Sequence, residues 1–245
     1  MDGFSYYNIF ETKGIEYIAI IIFFLMLIPF WIFLNRHEKI VERLRRTIGT
    51  LTSRVLRVPQ GIFFGSDHTW THLERSGEAR VGIDDLLLHI TGEVKVTGMK
   101  HPGDRVRKGD IMAILEQDEK RLEICSPISG EIMDLNSRLS ENPGLLNDDP
   151  YSKGWIYKVK PENWIAETSN CYLADEATWW IDSELLRFRD FLAVSTAKLA
   201  PETSGVVLQD GGELRDNALS DLPPEVWNDF QEYFLRNPGK PDKRI

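Results

Sequence analysis

The chain has 245 residues, of which 42% are apolar and 27% charged, so it can form one or two globular domains with a proper core. Its formal net charge of -9 is uneven, since residues 1–60 hold eight Lys or Arg against five Asp or Glu, and the remainder holds 21 bases against 33 acids. This composition excludes a low-complexity chain, and the acidic remainder argues against nucleic acid as a partner.

The first predicted element is a hydrophobic segment, Tyr17 to Leu34, with no charged residue over 18 positions. At about 1.5 Å per residue, a helix of this length reaches roughly 27 Å, enough to cross the core of a bilayer. The acids ahead of it, and the lack of a small-residue cleavage site after it, argue against a signal peptide. We therefore predict a single-pass transmembrane helix over residues 17–34, with Tyr17 and Trp31 suited to the two interfaces.

The charges on either side of this segment predict its orientation. Three acids and Lys13 precede it, whereas five bases follow closely: Arg36, Lys39, Arg43, Arg45 and Arg46. The positive-inside bias then leaves residues 1–16 as a short extracytoplasmic N-terminus and places the chain after Leu34 in the cytoplasm. The expected location is the inner (cytoplasmic) membrane of a bacterium, with membrane lipid among the partners.

Residues 36–58 predict a basic amphipathic juxtamembrane helix, since apolar residues recur at spacings of three and four from Ile40 to Val58. Two interpretations of its basic face remain open. In the first, the helix lies along anionic headgroups, and each base near the surface contributes about 1 kcal/mol to membrane binding. In the second, it is a stalk packed against a neighbouring membrane subunit. The segment from Pro59 to Gly61 ends it in either case.

Residues 61–164 predict a β-rich domain. Its central feature is a hairpin between Ile111 and Gly130, with the polar run Gln117–Lys120 facing water at the tip. Asp84 and Asp85 indicate a short helix with an acidic first turn. Further strands are predicted at Val94–Val96, Val106–Leu115, Glu131–Leu135 and Trp155–Lys160.

Neither the histidines nor the cysteines predict a metal site. His68 and His72 share a face of a strand, but no carboxylate or cysteine stands at a supporting spacing. Cys125 and Cys171 lie far apart without a CxxC pattern, so neither zinc nor a disulfide framework is indicated. A reducing compartment is the simplest interpretation.

The arrangement of residues 61–164 resembles the lipoyl/biotinyl carrier fold and, more widely, the H-protein of the glycine cleavage system. The residues that carry the resemblance are His68-Thr-Trp70, Val81-Gly-Ile83, Gly92-Glu93-Val94, the glycine-punctuated hairpin, Asn136 to Leu139, and Asn147 to Lys160. The resemblance implies a mainly β fold with added helices. The implied fold is a lipoyl-domain-like β-sandwich of the hammerhead (H-protein) type. In this chain it would follow a transmembrane helix and precede a small helical C-terminal extension.

In this family a lysine at the hairpin tip carries a lipoyl arm that visits partner active sites. That lysine stands eight residues before the proline of a Ser-Pro element and three residues after a glutamate, which match Pro127 and Glu116. Both counts arrive at Glu119, and Lys120 is one position later. A shift of one residue turns a side chain to the other face of a hairpin. The resemblance therefore predicts no cofactor, with lipoate on Lys120 as the alternative.

The C-terminal region, residues 165–245, predicts helical structure and a tail. A long helix is expected from Asp175 to Ala200, a small hairpin around Asp210 and Gly211, and a proline-opened helix from Asp221 to Leu235. This last helix has an aromatic face that either packs in the core or binds a protein partner. Its candidate partner-binding residues are Trp227, Phe230, Tyr233 and Phe234.

Two functions follow from these patterns. The first is a membrane-anchored, non-lipoylated H-protein-like subunit that acts as a binding or scaffold component of a bacterial membrane complex, such as a redox complex, with the protein subunits of that complex as partners. The second is a genuine lipoyl carrier of the glycine cleavage type, which uses Lys120 to shuttle an aminomethyl group or electrons. No motif of an enzyme is present, so we predict no catalytic residues.

Overall fold

The structure is a computed structural model, and it describes residues 17, 20–27, 30, 51–199, 208–209 and 213–237. The chain divides into two units, Met1–Gly49 and Thr50–Ile245. In the first unit, the described residues are helical with exposed side chains. None of the helices within the described residues is long and apolar enough to span a bilayer. Because the predicted span Tyr17–Leu34 lies partly outside those residues, it stays a prediction.

The second unit consists of short strands and, with one exception, short helices. The strands are β1 (Phe63–Phe64), β2 (Thr69–Leu73), β3 (Ala79–Ile83), β4 (Lys95–Thr97), β5 (Arg105–Val106), β6 (Ile111–Gln117), β7 (Lys120–Cys125), β8 (Gly130–Leu135), β9 (Tyr157–Pro161), β10 (Leu208–Gln209) and β11 (Glu213–Leu214). The helices are α1 (Asp85–Thr91), α2 (Arg138–Glu141), α3 (Leu145–Asp148), α4 (Trp164–Thr168), α5 (Asp175–Leu199) and α6 (Pro224–Asp229), which continues into a π-helical segment, Phe230–Leu235.

Two antiparallel sheets form the body of this unit. The larger has the strand order β1-β2-β3-β9-β8-β5, and the smaller has the order β4-β6-β7. Side chains from both sheets contribute to one hydrophobic core. The hydroxyl of Tyr157 on β9 donates to the carbonyl of Met112 on β6 at 2.9 Å, which links the sheets through a buried hydrogen bond. The prediction of a mainly β fold with added helices is confirmed.

Several predicted elements form where the sequence places them. The short acidic helix is α1, and the Asp84 carboxylate caps it by accepting from the N–H of Leu87 at 2.8 Å. The long C-terminal helix is α5, and β10 pairs with β11 as the expected hairpin. The single strand predicted over Val106–Leu115 is wrong, because a turn containing Gly109, with a φ of +89°, divides it into β5 and β6.

The helix predicted over residues 36–58 is wrong over the part that the structure describes, since residues 51–58 are turns and irregular chain. Leu51 and Leu56 are buried in the core of the β domain. The Arg57 guanidinium pairs with the buried carboxylate of Asp85 at 2.6 Å. Of the periodic apolar residues of the predicted helix, Leu51 is thus buried by tertiary contacts, whereas Val55 is 47% exposed, and the Arg57 side chain is engaged by Asp85. Residues 36–50 lie outside the described residues.

The packing of Gly82 against Trp70 is a close approach that generates a prediction. Gly82 on β3 lies opposite Trp70 on β2, and a Cβ at Gly82 would come within 2.6 Å of the buried indole. We expect Gly82→Ala to lower the free energy of unfolding by about 1–3 kcal/mol, because the indole must shift in a packed core. Denaturant unfolding measures this. Gly144→Ala is the control, since its Cβ would meet nothing closer than 3.4 Å, and an equal loss in both variants would contradict the packing argument.

Candidate functional site

The tip of the β6–β7 hairpin is a two-residue turn. Gln117 pairs with Lys120 across the two strands, so only Asp118 and Glu119 form the connection. Asp118 has a φ of +54°, in the left-handed region that Asp tolerates better than most residues. Both turn residues are exposed to solvent. Both residues of the turn are therefore exposed carboxylates, and Glu119 is the second of them.

Lys120 does not extend from this tip. It is the first residue of β7, it is half-buried, and its amine donates to the backbone carbonyl of Ser220 at 2.5 Å and to Gln117 Oε1 at 3.3 Å. The amine also lies 5.3 Å from the centre of the Trp227 ring, a cation–π distance. The prediction that the whole run Gln117–Lys120 faces water is thus wrong for Lys120. Its amine is bound by the C-terminal region.

The same C-terminal region also binds the backbone of β7. The Gln231 side-chain amide accepts from the N–H of Glu123 at 2.7 Å and donates to the Glu123 carbonyl at 3.4 Å. This pairing satisfies backbone groups at the edge of the smaller sheet in the way a neighbouring strand would. The carboxylate of Glu123 in turn pairs with Arg236. The outer edge of the hairpin is therefore covered by the chain itself.

The structure decides between the two interpretations of the aromatic face for three of its four residues. Trp227, Phe230 and Phe234 are at most 1% exposed, so the prediction that they bind a partner is wrong. They pack as core residues, and the indole N–H of Trp227 donates to the carbonyl of Leu219 at 2.7 Å. Tyr233 is 62% exposed and is the one member that stays accessible.

A second contact of the C-terminal region is made at the end of α1. The N–H groups of Asn217 and Leu219 donate to the carbonyls of His89 and Ile90, at 2.8 and 3.0 Å. These carbonyls belong to the last turn of α1, where carbonyl groups have no hydrogen-bond donors within the helix. The imidazole of His89 also pairs with Asp216 at 2.7 Å. This chain segment leads directly to Ser220, and so it sets the position of the carbonyl that binds Lys120.

A third contact is a buried cluster around His68. The Nδ1 atom lies 2.8 Å from Asp84, and Nε2 lies 3.4 Å from Glu184 on α5, an ion-pair distance without an aligned hydrogen bond. The ring stacks between Trp180 and Phe234, with centroids 5.2 and 5.4 Å away. Burial lowers the pKa of His68, but the two carboxylates outweigh burial and raise it to about 9.

His68 and His72 are accordingly not a pair of metal ligands. His68 binds two carboxylates, and His72 lies 3.0 Å from the carbonyl of Gly61. In the part of the chain that the structure describes, no group of three or more His, Cys, Asp or Glu residues could hold a metal ion. Cys125 and Cys171 are free thiols, and burial raises the pKa of each, which disfavours the reactive thiolate.

The arrangement around the hairpin therefore binds the amine of Lys120 and half buries its side chain. Acylation of the Lys120 amine would remove its charge and leave a single N–H where the amine now donates to Ser220 and Gln117. The sequence contains no local signal for this contact, because the two residues are 100 positions apart. The only hint of this contact in the sequence is that the lysine stands one position after the place expected for a tip residue.

The sheets and their exposed hairpin define a protein of the lipoyl-carrier class. The family model of the glycine cleavage H-protein matches residues 62–179. A probable glycine cleavage system H protein of Thermococcus gammatolerans is 32% identical over 127 residues, which are 52% of this chain and 94% of that relative. The glycine cleavage system H protein of Psychrobacter sp. is 32% identical over 43% of this chain and 84% of its own length. The chain belongs to the glycine cleavage H-protein family.

A crystal structure of a glycine cleavage system H protein from Mycobacterium marinum is 26% identical, with a TM-score of 0.40, over 42% of this chain and 86% of that chain. Members of the H-protein family are carriers rather than enzymes, in agreement with the prediction that this chain has no catalytic activity. The family match includes Glu119 and Lys120 but ends before Ser220, Trp227 and Gln231. The groups that cover the hairpin therefore lie outside the matched part.

The His68 cluster generates a prediction on pH. A folded-state pKa near 9, above the ordinary 6.5, means that the protonated ring stabilises the fold fully below pH 6.5. That contribution, of the order of 3 kcal/mol at about 1.4 kcal/mol per pKa unit, is lost as the pH rises through 9. We expect the free energy of unfolding to fall over this range.

Thermal or denaturant unfolding at several pH values measures the effect. His68→Asn should remove this part of the pH dependence, and Asn is chosen because residue 68 has a φ of +60°, which Asn tolerates. His101→Gln, at an exposed site, should retain it. The assignment would be contradicted by parallel profiles for the parent chain and His68→Asn.

Proposed function

We propose that this chain is a non-lipoylated, membrane-anchored member of the H-protein family that acts as a binding or scaffold subunit of a bacterial membrane complex. The observation that carries the proposal is the position of the two charged groups at the hairpin. The carboxylate of Glu119 is exposed at the tip, while the amine of Lys120 is bound by Ser220 and Trp227. A shuttling carrier needs an accessible amine at the tip, whereas a scaffold does not.

The energetics of the Lys120 contact support this proposal. A hydrogen bond to a charged group contributes about 1.5–3 kcal/mol, and a cation–π contact roughly 0.5–2 kcal/mol. Acylation would neutralise the amine and so remove the charge on which both contributions depend. The Ser220 carbonyl that the amine binds is held in position by the neighbouring hydrogen bonds of Asn217 and Leu219 to α1. The folded chain thus opposes modification of Lys120.

The membrane anchor in this proposal derives from the hydrophobic segment. The described residues between Tyr17 and Phe30 are helical, and the apolar side chains among them are 41% to 69% exposed. Exposed apolar surface of this kind favours an apolar environment over water. The basic residues that follow the segment favour a cytoplasmic location for the β domain. The β domain would then contact the protein subunits of the complex at the membrane surface.

A second candidate function, a lipoyl carrier that uses Lys120, is supported by membership of the family and by the location of this lysine within the hairpin. It requires the C-terminal region to leave β7, because the amine is otherwise engaged. The two candidates differ in a measurable property, the mass of the native protein.

We expect the intact mass of the chain purified from its native host to contain no lipoyl group. We also expect Glu119→Lys, treated with a lipoate–protein ligase, to gain the mass of one lipoyl group, because a lysine then stands in the turn. Arg121→Lys is the matched control, since it places an additional lysine at a 72% exposed site outside the turn. A lipoyl group found on Lys120 of the native protein would refute the non-lipoylated assignment.

The anchor is tested separately. We expect the full chain to remain in the membrane fraction at high salt, because apolar burial rather than charge attraction holds it. A chain without residues 1–34 should bind membranes weakly and be released by salt, since only the basic residues 36–50 would remain to attract anionic lipid. Sedimentation of membranes at low and high salt measures this, and release of the full chain by salt would argue against the anchor.

A further inference from the structure

The exposed face of α5 is unusually apolar for a helix on the surface of a folded domain. Five large apolar side chains in the described part of the second unit are more than half exposed, and four of them lie on α5 or beside it. Trp179 is 70%, Leu186 53% and Val194 70% exposed, and Tyr233 lies beside Val194 across a shallow groove. Such a concentration of exposed apolar area marks an interaction surface.

The spacing of this face matches a helix-pairing seam. The helix buries one side, with Ala177, Ile181 and Phe188 at 0–1% exposure. On the opposite side, exposed residues recur at alternating intervals of four and three, the period of a coiled-coil seam. These residues are Trp179, Ser183, Leu186, Asp190, Ala193 and Ala197. The helix therefore has two packing faces, and the described residues of this chain cover only one.

The charges of α5 that are not used by contacts with the β domain indicate which partner fits this face. Asp175, Glu176 and Asp182 lie in the N-terminal half, whereas the C-terminal half carries the exposed bases Arg189 and Lys198 against one acid, Asp190. Glu184 and Arg187 pair with each other and face the chain itself. A second copy of the same helix in antiparallel orientation would place each acidic half against a basic half. A parallel pair would place like charges together.

The sizes of the seam residues favour the same orientation. If the two helices cross near Phe188, Trp179 of one copy lies level with Ala197 of the other, and Ser183 lies level with Ala193. Trp179, the one large side chain at either end of the seam, then meets a small one, as close helix packing requires, and Leu186 lies level with Asp190. The same alignment brings Asp190 within one helical turn of Arg189 of the second copy.

We propose that the exposed face of α5 is a homodimer interface, on which two copies of this chain pair their α5 helices antiparallel about a two-fold axis. Such an interface is self-complementary, so it closes at two copies and does not extend into a filament. This inference concerns the surface opposite the β domain, and it does not depend on whether the hairpin is lipoylated.

Cysteine cross-linking of the full chain in membranes tests both the pairing and its orientation. Residues 179 and 197 are 18 positions apart, or about 27 Å along a helix. We therefore expect a disulfide when Trp179→Cys and Ala197→Cys chains with different tags are co-expressed, and none between two Trp179→Cys chains. The parent chain controls for Cys125 and Cys171, and Met133→Cys, at a 42% exposed site on β8, controls for collision.

A disulfide between two Trp179→Cys chains would indicate parallel pairing and overturn the proposal. A disulfide to a different protein at this position, or yields no higher than those of Met133→Cys, would also overturn it. Light scattering of the detergent-solubilised chain provides a second measurement, which requires no cysteine. We expect a dimer for the parent chain and for Met133→Glu, and a loss of the dimer for Leu186→Glu, while a monomeric parent chain would refute the interface.

Discussion

The bond between the Lys120 amine and the Ser220 carbonyl is the contact on which the interpretation of this protein depends. A charged amine that is half removed from water must keep its hydrogen bonds, or the fold loses stability. Here it obtains them from a carbonyl and an amide oxygen, with an indole ring nearby. The contact therefore unites the hairpin with the C-terminal region, and it half buries the lysine next to the exposed turn.

The C-terminal region is held against the β domain by contacts of three different kinds. Backbone groups of residues 217 and 219 complete the end of α1, the Gln231 amide completes the edge of β7, and the buried imidazolium of His68 joins α5 to the N-cap residue of α1. The aromatic side chains fill the space between these polar contacts. Because each contact satisfies a group that would otherwise be buried without a partner, loosening the region exposes several unsatisfied groups at once.

Local patterns in the sequence were sufficient for much of the fold and for part of the site. The capped helix α1, the long helix α5 and the turn with Glu119 at its tip all depend on residues close together in the chain. The predictions failed where distant residues decide. Leu51 belongs to a helical pattern of apolar residues but is buried by tertiary contacts, and Lys120 belongs to a polar run but meets Ser220. Likewise, the sequence pattern of an aromatic helix face is the same whether the chain itself or a partner covers that face.

In the proposed non-lipoylated chain, the tip register and the cover by the C-terminal region act separately against acylation, and removing one leaves the other. If the C-terminal region left β7, the amine of Lys120 would reach water, but its backbone would still pair with Gln117 instead of lying in the turn. If a lysine replaced Glu119, it would stand in the turn whether or not the cover remained. The obstacle within the family-matched residues therefore lies in a single position of the hairpin, whereas the C-terminal region adds a second constraint on the lysine that remains.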